Sequence, residues 1–225
     1  MHKGVYIDFH THRPTTRNKD VIGVASIDPS EGDSSLHHYF TAGIHPWNAN
    51  IKSIDNDIAK LMALASNSMF IGVGEIGLDK LKGPRLEEQV VGFEKQVGFA
   101  TSNSMPIVIH CVKAWDELLS AVNKVPKHIP MAIHGFNGTA QLAMQLVEKG
   151  FHLSVGSLLL DSKSKVSQAL SIIPISRLFF ETDSSSVDIK LLYQVASDKL
   201  NITTEDLKIQ IAKNFTEFFN TSALP

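Results

Sequence analysis

Eight short apolar segments, separated by amphipathic stretches, constrain the fold of this chain more than any other feature. The apolar segments are rich in β-branched and aromatic residues and lack strict alternation, which is typical of strands buried on both faces. They span residues 4–9, 21–27, 39–44, 69–74, 106–110, 131–134, 151–155 and 177–181. The stretches with helical periodicity lie at 54–66, 87–102, 114–123, 139–149, 163–171, 188–200 and 204–219.

This alternation predicts a parallel sheet with crossover helices. Eight strands and the absence of a glycine-rich phosphate-binding turn after the first strand favour a (β/α)8 TIM barrel over an open doubly wound sheet. The connections at 13–20 and 28–38 are too short or too polar for ordinary crossover helices, so we expect a barrel trimmed at its first two connections. Such barrels commonly occupy about 250 residues. The sequence therefore predicts a single domain over residues 1–225.

Composition excludes several classes of protein. With 43% hydrophobic and 20% charged residues, the chain is neither disordered nor fibrous. A net charge of -2 gives no general attraction for polyanions, so any contact with nucleic acid must be local. The single cysteine allows no internal disulfide, and the sequence contains no signal-peptide core and no apolar run long enough for a membrane span. We expect a soluble cytoplasmic protein without a membrane partner.

Imidazoles and carboxylates lie at the ends of six of the predicted strands, where (β/α)8 barrels carry their active sites. In an extended segment His10 and His12 point to the same side, about 6 to 7 Å apart. Imidazoles and carboxylates crowded into one cavity are costly to bury unless cations join them. The sequence therefore predicts a metal site with six ligands: His10, His12, Glu75, His110, His134 and Asp183.

Six ligands exceed the needs of one tetrahedral ion, which favours two ions with Glu75 as the bridging carboxylate. A hydroxide held by the ions is the predicted nucleophile, because metal binding lowers the pKa of water to about 7. Asp183 is expected to bind one ion and to take the proton from that water. Mixed nitrogen and oxygen ligands favour Zn, Mn or Fe over Ca, and Mg suits the carboxylates and waters.

Six motifs in order, D-x-H-x-H, G-I-H-P, G-E-I-G-L-D, P-I-V-I-H-C, H-G-F-N-G and E-T-D, closely resemble the TatD family of metal-dependent hydrolases. The match extends over effectively the whole chain. The resemblance implies an amidohydrolase-type barrel and a deoxyribonuclease that uses divalent metal. It also implies that His45 faces the scissile phosphate. One ion would bind His10, His12, Glu75 and Asp183, and the other Glu75, His110 and His134.

The chain departs from the family pattern in two places. The family usually has Arg after the His110-Cys111 pair, whereas this chain has Val112 followed by Lys113, which we expect to replace the arginine as a point charge toward phosphate. The Pro-containing segment that usually follows E-T-D is replaced by serines. Cys111 is predicted to pack rather than to react, and Asp8 to orient a metal ligand.

Several alternatives stay open at this point. The same metals can hydrolyse a lactone, another ester or an amide instead of DNA or a small phosphodiester, because the fold does not determine the substrate. A binding module without turnover is a further alternative. Trp47 suits either packing or stacking on a nucleobase, and the basic group of Lys80, Lys82 and Arg85 suits either solvent or a phosphate backbone.

Overall fold

The computed structural model describes residues 4–13, 20–30 and 39–221. Its strands are β1 Tyr6–Thr11, β2 Val21–Ile27, β3 Phe40–Ala42, β4 Phe70–Asp79, β5 Ile107–Val112, β6 Met131–Ile133, β7 His152–Val155 and β8 Leu178–Phe180. Its α-helices are α1 Ile54–Leu64, α2 Leu86–Ser102, α3 Trp115–Ala121, α4 Ala140–Glu148, α5 Lys165–Ala169, α6 Ile189–Leu200 and α7 Thr204–Phe219. Every predicted strand and helix in these ranges is present, with ends shifted by a few residues.

The strands occur in the sheet in their sequence order, β1 to β8. Each pair with a described register is parallel, as in a (β/α)8 barrel. Contacts divide the chain into two compact units, which we call the terminal unit, Met1–Val24 with Ala132–Pro225, and the central unit, Ala25–Met131. The predicted single domain stays a prediction.

Aromatic side chains form the core of the terminal unit. Phe9 of β1 stacks on Phe179 of β8 with ring centroids 4.2 Å apart, and Phe218 of α7 meets both rings edge-on. The Tyr193 hydroxyl of α6 accepts a hydrogen bond from the backbone N–H of Ile7 and donates one to its carbonyl, both at 3.0 Å. These contacts fix the first and last strands of the sequence beside each other, which places the end of β1 next to the end of β8.

Strand β4 is the long strand of the central unit. The apolar pattern predicts its end at Gly74, but the strand continues to Asp79. It pairs with β5 at Val73 and, after a register shift, from Ile76 to Asp79. Residue 77 must be glycine for the strand to continue here. A Cβ at this position would overlap the carbonyl oxygen of His110, and residues with a side chain rarely adopt its φ of 155°. Consequently Glu75 lies within the strand rather than directly after it.

Four of the described α-helices begin at a side chain that caps them. The side chains of Thr139, Ser164, Asp188 and Thr203 each accept a backbone N–H at the start of a helix. Most of residues 13–20 and 28–38, the connections predicted to be trimmed, lie outside the described residues. None of the helices in the described part of the chain is both long and apolar enough to cross a membrane.

Candidate metal centre

The terminal unit brings together three of the predicted metal ligands. His10 and His12 lie at the end of β1 and Asp183 follows β8, and one ligand atom from each lies within 4.8 Å of the others. His12 Nε2 is 3.5 Å from Asp183 Oδ1, and the two imidazole rings have centroids 5.0 Å apart. His10 is buried, whereas the side chains of His12 and Asp183 are 41% and 42% exposed. We call these three residues the terminal group.

Backbone hydrogen bonds hold Asp183 against β1. Its N–H donates to the carbonyl of His10 at 2.9 Å, and its carbonyl accepts from the N–H of His12 at 3.2 Å. Asp183 has a φ of 52°, a left-handed conformation that aspartate and asparagine tolerate better than most residues. The ligands on β1 and β8 are therefore aligned by a parallel bridge.

Asp8 is hydrogen-bonded to Thr182, the residue before Asp183. Its carboxylate accepts hydrogen bonds from the N–H and the hydroxyl of Thr182, at 2.8 and 2.7 Å. Burial raises the pKa of Asp8 to about 7, although these hydrogen bonds from Thr182 oppose the shift. The predicted orienting role of Asp8 stays a prediction, and its described hydrogen bonds go to the neighbour of Asp183 rather than to an imidazole.

His134, which follows β6, lies beside His10 in the terminal unit. The two rings stack with centroids 4.3 Å apart. His134 Nδ1 is 3.4 Å from Oε1 of Glu181, a fully buried carboxylate that also accepts the backbone N–H of Gly135 at 2.6 Å. Burial raises the pKa of Glu181, but the nearby imidazoles of His134 and His10 outweigh it and leave the pKa below its ordinary value. Glu181 therefore faces His134 as a carboxylate.

The central unit brings together Glu75, His110 and His45, which we call the central group. Glu75 Oε1 is 2.7 Å from His110 Nδ1 and 3.1 Å from His45 Nε2. Glu75 is buried, and the imidazoles are mostly buried. One ligand atom from each residue lies within 4.8 Å of the others. His45 is thus beside two predicted metal ligands, and its predicted contact with the scissile phosphate stays a prediction.

Asp79 is a buried residue of the central unit whose role the sequence does not reveal. Its Oδ2 accepts a hydrogen bond from the indole Nε1 of Trp47 at 2.6 Å and lies 3.4 Å from His110 Nε2, and its Oδ1 accepts the N–H of Leu81 at 2.7 Å. Burial raises the pKa of Asp79, but these hydrogen bonds outweigh it and lower the pKa below its ordinary value. Asp79 and Glu181 each place a carboxylate beside the ring of a predicted ligand. The only sequence signal was their position at strand ends.

Lys113 and Cys111 are two further predicted residues that belong to neither group. Lys113 is exposed and has a left-handed φ of 53°, and its predicted contact with substrate stays a prediction. Burial raises the pKa of the Cys111 thiol to about 12, which agrees with a packing role.

The donor chemistry of both groups suits a divalent cation. Each supplies imidazole nitrogens and a carboxylate oxygen, a mixture that Zn, Mn and Fe accept. His10, His12 and Asp183 are together in one unit with His134 beside them, and Glu75 and His110 are together in the other. The assignment of the six ligands to two ions, and of Glu75 as the bridge, stays a prediction.

Comparison with known sequences agrees with the motif pattern. The family model described as TatD related DNase matches residues 27–220. The 3'-5' ssDNA/RNA exonuclease TatD of Cronobacter turicensis is 32% identical over 148 residues, which cover 64% of this chain and 56% of that protein. The protein of the same name from Salmonella typhimurium is 29% identical over 152 residues, covering 66% and 58%. The chain thus matches little more than half the length of these curated relatives.

Comparison with solved structures confirms the predicted (β/α)8 fold class. The TatD homologue YjjV from Escherichia coli superposes with a TM-score of 0.81 at 19% identity, covering 96% of this chain and 98% of that chain. The TatD family hydrolase from Entamoeba histolytica gives a TM-score of 0.77 at 16% identity with the same coverage. A probable 2-pyrone-4,6-dicarboxylic acid hydrolase from Acinetobacter baumannii gives 0.59 at 13% identity, covering 98% and 100%.

Proposed function

Because the chain belongs to the TatD-related DNase family, we propose that it is a metal-dependent hydrolase that cleaves phosphodiester bonds in DNA. The observation that carries this proposal is the pair of imidazole and carboxylate groups, each gathered from residues far apart in the sequence. The curated relatives are named 3'-5' ssDNA/RNA exonucleases, which supports a single-stranded polynucleotide as substrate.

We propose that two divalent cations, Zn, Mn or Mg, bind this chain. The terminal group, His10, His12 and Asp183, would hold one, and Glu75 and His110 of the central group would contribute to the other. His134 and a bridge by Glu75 complete the predicted ligand set. Bound divalent cations lower the pKa of water and stabilise the charge that develops in phosphoryl displacement.

The residues of the chain then have distinct tasks. Asp183 is half-exposed, so its carboxylate is accessible both to solvent and to His12, and it takes the proton from the attacking water. The mostly buried His45 presents its imidazole to the scissile phosphate, and Lys113 adds a positive charge at the rim. Glu181 and Asp79 keep the imidazoles of His134 and His110 oriented by facing one ring nitrogen of each.

One experiment tests the proposed function directly. The purified protein is analysed for its metal content, stripped with a chelator and reloaded with Zn, Mn or Mg, and each form is incubated with end-labelled single-stranded DNA, RNA and a panel of lactones. We expect metal-dependent shortening of the DNA. Turnover of a lactone but not of DNA or RNA would contradict the nuclease proposal and indicate a hydrolase that attacks a carbonyl carbon. Metal binding without turnover of any substrate would indicate a binding module.

The cysteine content of the chain bears on where the protein acts. Cys111 is the one cysteine of the chain, and its thiol is largely buried. This usage suits a reducing compartment, and we therefore propose that the protein acts in the cytoplasm. Fractionation of cells that express the untagged protein tests this, and recovery with the exported fraction would contradict it.

A further inference from the structure

The indole of Trp47 is exposed and yet fixed beside the central group. It is 44% exposed and lies in the short 3-10 helix Pro46–Asn48. Its Nε1 donates to the buried carboxylate of Asp79 at 2.6 Å, and its backbone N–H donates to Nδ1 of His45 at 3.2 Å. A large ring anchored through its edge while much of its surface remains in solvent does not contribute mainly to the core.

Lys82 places a positive charge on this ring. Its Nζ lies 4.2 Å from the centroid of the Trp47 ring. The lysine backbone is fixed, because its N–H donates to Asp79 Oδ1 at 3.2 Å and its carbonyl accepts from Gln89 Nε2 at 3.0 Å. Next to it, Gly83 has a φ of 91°, and a Cβ there would lie 2.9 Å from the Trp47 Cα, so the two segments are in close contact. The side chain of Lys82 is exposed, so its ammonium is accessible from solvent.

The indole is close to the residues of the proposed chemistry. Its ring centroid is 4.5 Å from that of His45 and 6.0 Å from that of His110. All of these residues belong to the central unit. A substrate group that contacts the Trp47 ring is therefore adjacent to the imidazole that we assign to the scissile phosphate.

We propose that Trp47 and Lys82 form a nucleotide subsite, in which a nucleobase stacks on the indole and the Lys82 ammonium pairs with a neighbouring phosphate. Every base has a π-face, so stacking on an aromatic side chain does not depend on sequence. A lysine ammonium binds phosphate as a point charge. The subsite rests on the proposed nuclease function and narrows its substrate to single-stranded nucleic acid, because bases within a duplex are stacked on one another.

The first test separates stacking from support of the catalytic residues. The metal-loaded protein is assayed on a single-stranded DNA oligomer and on an abasic oligomer with the same number of phosphates. Trp47→Ala is expected to lower kcat/KM on the DNA about tenfold more than on the abasic oligomer, mainly through KM. Trp47→Phe is expected to recover most of this difference. Both variants lack the Nε1 donor to Asp79, so they differ from each other in the ring alone.

The outcomes of this test are distinct. An equal loss on both oligomers means that Trp47 only supports His45 and Asp79, and it overturns the stacking subsite. A loss in Trp47→Phe as large as that in Trp47→Ala also overturns it. If the unmodified protein cleaves neither oligomer with any metal, the proposed nuclease function itself fails, which is a different result.

The second test concerns the phosphate contact of Lys82. The affinity of the metal-loaded protein for single-stranded DNA is measured at several salt concentrations. Lys82→Ala loses one phosphate contact, so the magnitude of the slope of log affinity against log salt concentration is expected to fall by about one. Lys82→Arg keeps the charge and is expected to keep the slope. Lys124→Ala is the matched control, because Lys124 is an exposed lysine of the same unit outside this loop. A slope unchanged in Lys82→Ala, or changed equally in Lys124→Ala, overturns the phosphate contact.

Fluorescence tests the stacking independently of turnover. The chain has two tryptophans, so a Trp115→Phe background leaves Trp47 as the sole indole. Rapid mixing of this metal-loaded protein with excess single-stranded DNA is expected to quench Trp47 before cleavage, whereas the abasic oligomer leaves the emission nearly constant. DNA that binds without quenching, or equal quenching by both oligomers, overturns the proposed stacking.

Discussion

Buried carboxylates face two of the predicted metal ligands in this protein. Glu181 lies 3.4 Å from Nδ1 of His134, and Asp79 lies 3.4 Å from Nε2 of His110. Carboxylates of this kind fix the ring orientation of a ligating histidine and raise its basicity. We propose that the other ring nitrogen, Nε2 of His134 and Nδ1 of His110, is the one that binds a cation.

Replacing Glu181 by Gln tests this orienting role. The amide oxygen can still accept the Gly135 N–H, but the charge that faces His134 is lost. We expect metal affinity to fall about 10- to 100-fold, measured by titration of the metal-free protein. Glu148→Gln is the control, because it makes the same change at an exposed position of α4. Unchanged affinity in Glu181→Gln would show that Glu181 only packs.

Asp183→Asn separates chemistry from folding. We expect kcat on single-stranded DNA to fall about 10²- to 10⁴-fold, because the amide cannot accept the proton from water. Stability is expected to change little, since asparagine tolerates the φ of 52° and the backbone hydrogen bonds remain. Asp183→Ala, which strains this φ, is expected to lower the unfolding temperature as well. Full activity in Asp183→Asn would remove Asp183 from its proposed role.

His152 of β7 makes stability depend on pH. Burial lowers its pKa to about 4 from an ordinary value of 6.5, and the charge of Arg177 adds to the shift. The unfolded chain therefore takes up the His152 proton first, and the contribution of His152 to the free energy of unfolding falls as the pH drops from about 6.5 toward 4, whereas the raised pKa of Asp8 acts in the opposite direction. At pH 5 the loss amounts to roughly 2 kcal/mol.

His152→Leu is expected to remove this contribution, so that lowering the pH from 7 to 5 costs the unmodified protein about 2 kcal/mol more than the variant. The ring of His152 packs against Phe179 and Phe218, so an apolar side chain suits the site. Urea unfolding at pH 7 and pH 5 measures the difference, and His128→Leu, at an exposed position, is the control. The same change in the free energy of unfolding between the two pH values in the unmodified protein and in His152→Leu would contradict the assignment.

At the scale of elements, helix α2 positions the strand ends of the central unit through two buried glutamines. Gln89 and Gln96 are seven residues apart and so lie on one helix face. Gln96 accepts the N–H of Ile44 at 2.7 Å and donates to its carbonyl at 3.1 Å. Gln89 does the same for Asp79, at 2.7 and 2.9 Å. The helix thus fixes the backbone of Ile44, which precedes His45, and the backbone of Asp79, whose carboxylate lies beside His110.

Gln96→Leu tests how much this clamp contributes. The substitution leaves the buried N–H and carbonyl of Ile44 without their side-chain partners, at a cost of about 1–3 kcal/mol for each unsatisfied group. We expect the free energy of unfolding in urea to fall by roughly 2–4 kcal/mol. Gln145→Leu, at an exposed position of α4, serves as the control and is expected to stay within about 0.5 kcal/mol. A Gln96→Leu protein as stable as this control would contradict the clamp.

The elements themselves were largely predictable from the sequence, and their ends were not. Helix α7 begins and ends where periodicity and Thr203 place it, at Thr204–Phe219. Strand β4 instead runs five residues beyond its predicted end at Gly74. Apolar periodicity records burial, whereas continuation of a strand past Glu75 depends on pairing with β5 and on the space available at Gly77.

For the whole molecule, metal binding and stability are linked. The sequence predicts that Glu75 bridges two ions, whose other ligands are His10, His12, His110, His134 and Asp183. If so, Glu75→Gln lowers the metal content from two ions per chain to fewer than one, measured by elemental analysis. Added metal raises the free energy of unfolding of the unmodified protein by about 2.7 kcal/mol when the free metal concentration is 100 times the dissociation constant. Glu75→Gln is expected to remove most of this stabilisation. Retention of two ions by Glu75→Gln would contradict the bridge.

The sequence by itself determined the order of strands and helices and predicted which side chains are candidate metal ligands. Both are local properties, since periodicity reports burial and His or Asp at a strand end reports its donor chemistry. Only the tertiary structure decided which carboxylate faces which imidazole. Glu181 reaches the segment after β6 across 46 residues, and Gln96 reaches Ile44 across 52. Such pairings depend on which side chains meet when distant segments pack, and no spacing along the chain encodes that.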